Sequence, residues 1–315
     1  MSSTRVAVVQ HAPVYLDRDA TLARASELIA EAAKEGANLV VLPETFVSGY
    51  PTWGWRLRPG TDMGLCKELH ALLVAASVDL EAGDADPLFD AARKNNVTVV
   101  CGINEREGSY GRSTIFNTVI VIGPDGTLLN RHRKLVPTNH ERTTWGQGDA
   151  SGLRVVATPA GRIGTLPCWE SLMPLSRMAL YAEGVEIMIH PTWDCGDGWL
   201  ASMRHIAREG GCWVIGNAAP VQGCDMPRDM PGREQLFPDD DEWLCSGDSV
   251  VMAPFSGPVA GPLNRERGVL YADCDLSKVV DARRSFDVAG HYNRPDVFRF
   301  EVNRQAAKPA RFIED

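Results

Sequence analysis

Two early runs, NLVVLPE (38–44) and VTVVCGIN (97–104), are apolar at consecutive positions rather than at alternate ones. A strand with one wet face alternates polar with apolar residues, so a strand apolar throughout must be covered on both faces. That requirement excludes an open one-sided sheet and calls for helices outside the strands. The intervening sequence supplies them. RVAVVQ (5–10) reads as a first strand, and Thr21–Gly36 as a helix with Leu22, Leu28, Ile29 and Ala32 at helical spacing. Asp86–Asn95 is a second helix. IFNTVIVIGPDGTLLNRHRK (115–134) is a hairpin turning on Pro124-Asp125-Gly126.

The second half repeats this grammar. LRVVATPAGRIGTLPC holds two strands around a turn at Gly161, followed by a helix over 172–184 and the strand VEIMIHP (185–191). A helix over 198–210 and the strand CWVIGNA (212–218) come next, then SVVMAPFSGP (249–258) and GVLYADCDL (268–276) as a late strand pair. Strand–helix–strand units mixed with hairpins predict an α/β layered fold with a mixed sheet. About a dozen strands are too many for one comfortable open sheet, which favours two packed sheets. Residues 56–86 form a partly helical insertion, and 222–245, rich in Pro and Asp, a long loop. From Arg283 onward the chain turns polar and loses periodicity. With no linker in view, residues 1–285 are expected to form one domain and 286–315 an extended arm.

Composition removes several function classes. A net charge of −9 argues against a nucleic-acid partner, because phosphate binding needs clustered Lys and Arg. No run approaches the roughly 18 apolar residues needed to span a bilayer. The N-terminus lacks a signal-peptide layout, and a cytoplasmic location is expected. The eight cysteines form no C-x-x-C pair, and the seven histidines no zinc-ligand pattern, so neither a disulfide framework nor a metal site is expected.

Three polar residues stand where apolar strand runs give out: Glu44 after NLVVLP, Lys134 after LLNRHR and Cys168 after IGTLP. Ligands of α/β sheets sit beyond the carboxyl ends of the strands, so the three are candidates for one site. Taken singly each has an ordinary explanation. A cysteine in an apolar setting is most often structural, Glu44 could cap a turn, and RHRK reads as a solvated basic face. As a set they are complementary. The thiolate is the reactive form of cysteine, a carboxylate can take the thiol proton and activate water, and an ammonium stabilises charge developing on a substrate.

These residues also carry a resemblance. VVLPETFVSGYP (40–51), RKLVPTNHERTTWGQGD (133–149) and PCWESLMPLSRMALYAEGVEI (167–187) resemble the three blocks of the nitrilase superfamily, and AGHYNRPDVF (289–298) resembles a C-terminal segment of its nitrile-hydrolysing branch. The resemblance implies an αββα sandwich, with sheets from two subunits packing together and helices outside. It implies Cys168 as nucleophile, Glu44 as general base, Lys134 as stabiliser of the tetrahedral state and Glu141 as a second glutamate that positions substrate and lysine. It further implies a small nitrile as substrate, no cofactor, and self-association into a dimer or a larger, spiral homo-oligomer. Pro167 and Ser171-Leu172 depart from the commoner residues beside the nucleophile, which bears on substrate preference rather than on reaction class.

Trp169, Trp193 and Tyr50 are expected to shape the pocket, with Tyr50 and Trp53 equally open to a packing role. His190, in an apolar strand before Pro191, is read as structural. Alternatives remain: an amidase or carbamoylase of the same superfamily, a hydratase that releases the amide, and a non-catalytic assembly protein with the same fold.

Overall fold

The computed structural model describes residues 3–58, 60–310 and 313. The first half builds β1 (Ser3–Gln10), α1 (Arg18–Lys34), β2 (Leu39–Val41), α2 (Met63–Ala76), α3 (Asp86–Asn95), β3 (Thr98–Arg106), β4 (Ile115–Ile122) and β5 (Leu128–Arg133). The second half builds β6 (Val156–Thr158), β7 (Gly161–Thr165), α4 (Pro174–Ala182), β8 (Ile187–Thr192), α5 (Asp197–Gly210), β9 (Trp213–Ala218) and β10 (Pro220–Gln222). After these come α6 (Arg233–Leu236), β11 (Trp243–Met252), β12 (Pro258–Asn264), β13 (Gly268–Asp275) and α7 (Ser277–Ser285). No helix of the described residues is long and apolar enough to cross a membrane.

Among the described residues the strands form two mixed sheets. One runs β13-β1-β2-β3-β4-β5, and the other runs β10-β11-β9-β8-β7-β6 with β12 beside β11. Strand periodicity explains how they stack. In β1, Val6 and Val8 point to one face and join Leu39, Val41, Val100, Ile163, Ile187, Ile189 and Ile215 in a core between the sheets. Ala7 and Val9 point the other way and pack with Leu22, Leu28 and Ile29 of α1 and Leu88 of α3. In β8, Ile187 and Ile189 face the inter-sheet core, whereas Met188 meets Leu180 of α4 and Met203 and Ile206 of α5. The order of layers is helices, sheet, sheet, helices. Both faces of the central strands are therefore apolar because both are covered.

Four expectations change. The facing sheets belong to one chain, so the sandwich closes within a single polypeptide rather than between subunits. The two late segments are not a pair. β11 pairs with β9, β10 and β12, while β13 crosses to the other sheet and runs antiparallel to β1, with Ser3 opposite Asp275. The hairpin partner of β11 is β12, whose residues are exposed or half-buried and give little apolar signal. NLVVLPE keeps strand geometry only over Leu39–Val41, since Pro43 has no N–H for a ladder and Thr45 takes φ +44°. Finally, the helix expected from residue 172 starts at Pro174, and Cys168–Leu172 form a separate 3₁₀ turn.

The 222–245 loop is packed rather than free. Met226, Met230, Leu236 and Phe237 are buried against Tyr15, Leu69 and Leu73. The C-terminal arm lies along its own chain: the Ala307 amide donates to Asp149 (2.7 Å), and Val302 rests on the core beneath α4 and α5. The arm's residues 311, 312, 314 and 315 lie outside the described residues.

Candidate functional site

Glu44, Lys134 and Cys168 do come together, at the carboxyl ends of β2, β5 and β7. After β2 the chain continues through Leu42 and Pro43 and lies directly on β3. The Pro43 carbonyl accepts the Gly102 amide (3.1 Å). A Cβ at residue 102 would fall 2.3 Å from the Pro43 oxygen and 2.7 Å from the Glu44 Cα, so only glycine permits this approach. The absent side chain of Gly102 is what lets Glu44 turn inward.

Lys134 follows β5, and its amide donates to the Asn117 carbonyl (2.8 Å). Its own carbonyl accepts the Gly148 amide (2.9 Å), which places the WGQGD stretch against the lysine backbone. Glu141 sits in a short 3₁₀ turn, Asn139–Thr143, where the Thr138 amide donates to Oε2 (2.6 Å) as one half of a capping box. At Cys168 the backbone takes φ +52°, unusual for a residue with a side chain, as the chain passes from β7 into its 3₁₀ turn. This sharp turn aims the thiol at the cluster, beside Thr192 at the end of β8, whose side chain favours the ionised sulfur.

The polar contacts are short and closed to solvent. Lys134 Nζ donates to Glu44 Oε1 (3.0 Å) and to Glu141 Oε2 (2.8 Å). Asn117 Nδ2 donates to Glu44 Oε1 (2.6 Å), and Tyr50 Oη to Glu141 Oε1 (2.7 Å). Glu44 Oε1 is thus saturated, whereas Oε2 is buried without a hydrogen-bond partner among the described residues. Glu44, Lys134, Glu141 and Cys168 are all at most 5 % exposed. RHRK is therefore not a solvated face.

Burial pushes the Cys168 thiol up to about 12, and the Glu44 charge adds to the shift while Lys134 opposes it. Burial also raises Glu44, against the pull of the Lys134 ammonium. For Lys134 burial acts downward, but the negative charge available on Cys168, Glu44 and Glu141 outweighs it and the ammonium is held. The resting cluster therefore has a protonated thiol beside a carboxylate made more basic by its surroundings, and a fixed cation between two acids. One ligand atom each of Glu44, Glu141 and Cys168 lies within 4.8 Å of the others, a spacing a metal could use. Here the Lys134 ammonium, bonded to both carboxylates, already supplies the positive charge that such an anionic set requires.

Of the expected aromatic residues, Tyr50 is the best connected. Beyond Glu141 it stacks on Trp193 at 4.5 Å between ring centroids and 5° between planes, and meets the edge of Trp145 at 5.4 Å. Trp169 is 45 % exposed and donates to Asp194 (2.8 Å), at the rim. Trp53 is buried in the adjoining apolar cluster. His190 Nδ1 donates to the Leu166 carbonyl (2.9 Å), and burial lowers its pKa to about 4, so the ring is neutral and braces the strand before Cys168. Asn117, Thr192 and Trp145 are not evident from the sequence, nor is Trp55, whose indole donates to Tyr50 Oη (3.2 Å). A signal existed for Asn117, a lone amide in the apolar strand IFNTVIVI.

The chain matches the carbon-nitrogen hydrolase family over residues 5–284. It is 40 % identical to Nitrilase 3 of Arabidopsis thaliana, across 99 % of this chain and 90 % of that protein. It is 40 % identical to the bifunctional nitrilase/nitrile hydratase NIT4B of Nicotiana tabacum (98 % and 89 %), and 38 % to an aliphatic nitrilase of Sinorhizobium fredii strain HH103 (97 % of each). In structure it resembles a carbon-nitrogen hydrolase of Helicobacter pylori G27, at a TM-score of 0.71 and 20 % identity over 94 % of this chain and 97 % of that one. Nit3 of Saccharomyces cerevisiae is similar at 0.68 and 23 % identity, over 93 % and 97 %.

Proposed function

The chain belongs to the carbon-nitrogen hydrolase family, and we propose that it acts there as a nitrilase, converting an organic nitrile and two waters to the carboxylic acid and ammonia. The observation that carries this reading is the division of labour on Glu44: Oε1 is fixed by Lys134 and Asn117, Oε2 has no hydrogen-bond partner among the described residues, and the carboxylate comes within 4.8 Å of the Cys168 sulfur. A thiol held up near 12 does not wait as a thiolate, so it must lose its proton as it attacks. Glu44 takes that proton while Sγ bonds to the nitrile carbon, and the proton passes to the nitrile nitrogen to give a thioimidate. Glu44 then deprotonates a water that adds to the same carbon, and Lys134 stabilises the tetrahedral intermediate. Loss of ammonia leaves a thioester, which a second water hydrolyses to the acid. Expulsion of the thiol instead of ammonia releases the amide, the outcome named for the bifunctional relatives.

Glu141 positions Lys134 and is itself held by Tyr50 and the Thr138 amide. Tyr50, Trp193 and Trp169 wall the approach to the thiol. Residues 1–285 act as one catalytic domain with 286–315 as an arm, in a cytoplasmic protein that self-associates. Support for association comes from apolar side chains left in water on the nucleophile side and on the arm, among them Leu175 (68 % exposed) and Phe298 (71 %).

Cys168→Ala is expected to lower nitrile-dependent ammonia release by at least about 10³-fold with the fold retained. Turnover at the wild-type rate in that variant would overturn the assignment. Matched nitrile and amide substrates, with acid and amide products quantified, separate a nitrilase from an amidase and from a hydratase.

A further inference from the structure

Glu170 lies two residues after Cys168, and His132 two residues before Lys134. The side chains of both are fully buried. His132 Nε2 donates to the Glu170 carboxylate, at 3.1 Å from Oε1 and 3.0 Å from Oε2. Glu170 Oε1 also accepts the backbone amide of Leu135 (3.3 Å). The carboxylate that follows the nucleophile therefore grips the lysine strand on both sides of Lys134. His132 Nδ1 is buried without a partner among the described residues, so the ring contributes to this contact alone. A buried carboxylate is costly to solvate poorly, and one with two donors from a single neighbouring segment is tolerated because it fixes that segment. Among the described residues no side-chain hydrogen bond runs from this pair to Glu44, Lys134 or Glu141.

We propose that Glu170 is a positioning residue which, with His132, clamps the Cys168 turn to the end of β5 and so sets the separation of the thiol from the Lys134 ammonium. The clamp rests on the reading above in which those two groups act together, and it adds that their spacing is held from behind rather than by contacts within the site. The geometry explains why one carboxylate spans two segments 35 residues apart in sequence. Leu135 also packs on the apolar cluster that contains Leu166, just before Cys168, and the Glu170 hydrogen bonds add directional polar contacts to that packing.

The test reads the thiol as well as turnover. Glu170→Ala should lower kcat on a nitrile by about tenfold or more with KM within about threefold, because the loss is in alignment rather than in binding. Glu170→Gln, which keeps one carbonyl oxygen for the Leu135 and His132 donors, should recover most of it. Iodoacetamide alkylation of Cys168, followed by mass spectrometry, supplies a readout independent of substrate. Glu170→Ala should slow it about fivefold or more in the wild-type background and leave it unchanged in Lys134→Ala, since residues that act through one another are not additive. Equal slowing in both backgrounds, or wild-type kcat and alkylation in folded Glu170→Ala, overturns the clamp. Should Glu170→Ala not fold, His132→Leu against His132→Gln, which retains a donor, makes the same comparison. If the wild-type protein hydrolyses no nitrile, the proposed reaction fails, and the alkylation comparison still decides the clamp.

Discussion

At the scale of single residues, the site depends on which atoms are left unsatisfied as much as on which are bonded. Asn117 saturates Oε1 of Glu44 and favours its charged form, opposing the upward push of burial. In the proposed role of general base Glu44 must be deprotonated, so kcat/KM is expected to fall as pH drops through its pKa, which lies above the ordinary carboxylate value. Removing the amide donor raises that pKa further. The acid limb of the pH–rate profile should therefore move to higher pH in Asn117→Ala, and a limb that stays in place or moves down would exclude this role. Gly102 makes a second demand. In Gly102→Ala the added methyl meets the backbone of Pro43 and Glu44, which cannot swing aside as a side chain could. A displacement of the base by about 1 Å is expected to cost about 10²-fold in kcat, measured on protein whose circular dichroism is unchanged.

Elements set the site by where they stop. β2 ends at Val41, β5 at Arg133 and β7 at Thr165, and a side chain of the candidate site follows each within three residues. Polar links then tie the two sheets across their interface, those of Thr4 and Gln10 in β1 among them. Asn217 of β9 donates to the Val41 carbonyl of β2 (2.9 Å), and the Trp213 indole of the same strand donates to the Asp275 carbonyl at the end of β13 (3.0 Å). Trp213 is also buried in the inter-sheet core. Trp213→Ala should destabilise the protein by about 3–5 kcal/mol, from lost burial and the cavity left behind. Urea denaturation checks this, and a loss below about 1 kcal/mol would mean the sheets are held elsewhere.

For the whole molecule, the same layered arrangement that buries both faces of the central strands leaves apolar side chains of the C-terminal arm facing outward. The arm is anchored through Ala307 and through the pairing of Arg304 with Glu183, yet Tyr292, Val297 and Phe298 along it remain exposed. Covering such surface with a second copy is the simplest resolution, and light scattering should find a species larger than one chain at micromolar concentration. A monomer across that range would remove self-association from the proposal.

Read as sequence, the chain determined its layers and its local chemistry. Runs such as VTVVCGIN, apolar at every position, require cover on both faces, and the helical spacing of Leu22, Leu28 and Ile29 supplies it nearby. Glu44, Lys134 and Cys168 were visible as polar residues at strand ends, because a break in an apolar run is a local signal. Partners distant in sequence are set by how the elements pack in space. That β13 joins β1, that Asn117 fixes one Glu44 oxygen, and that Glu170 accepts from the Leu135 amide beside Lys134 all depend on contacts between residues far apart along the chain. Periodicity reports which face of an element is buried, and it carries no information about which other element covers it.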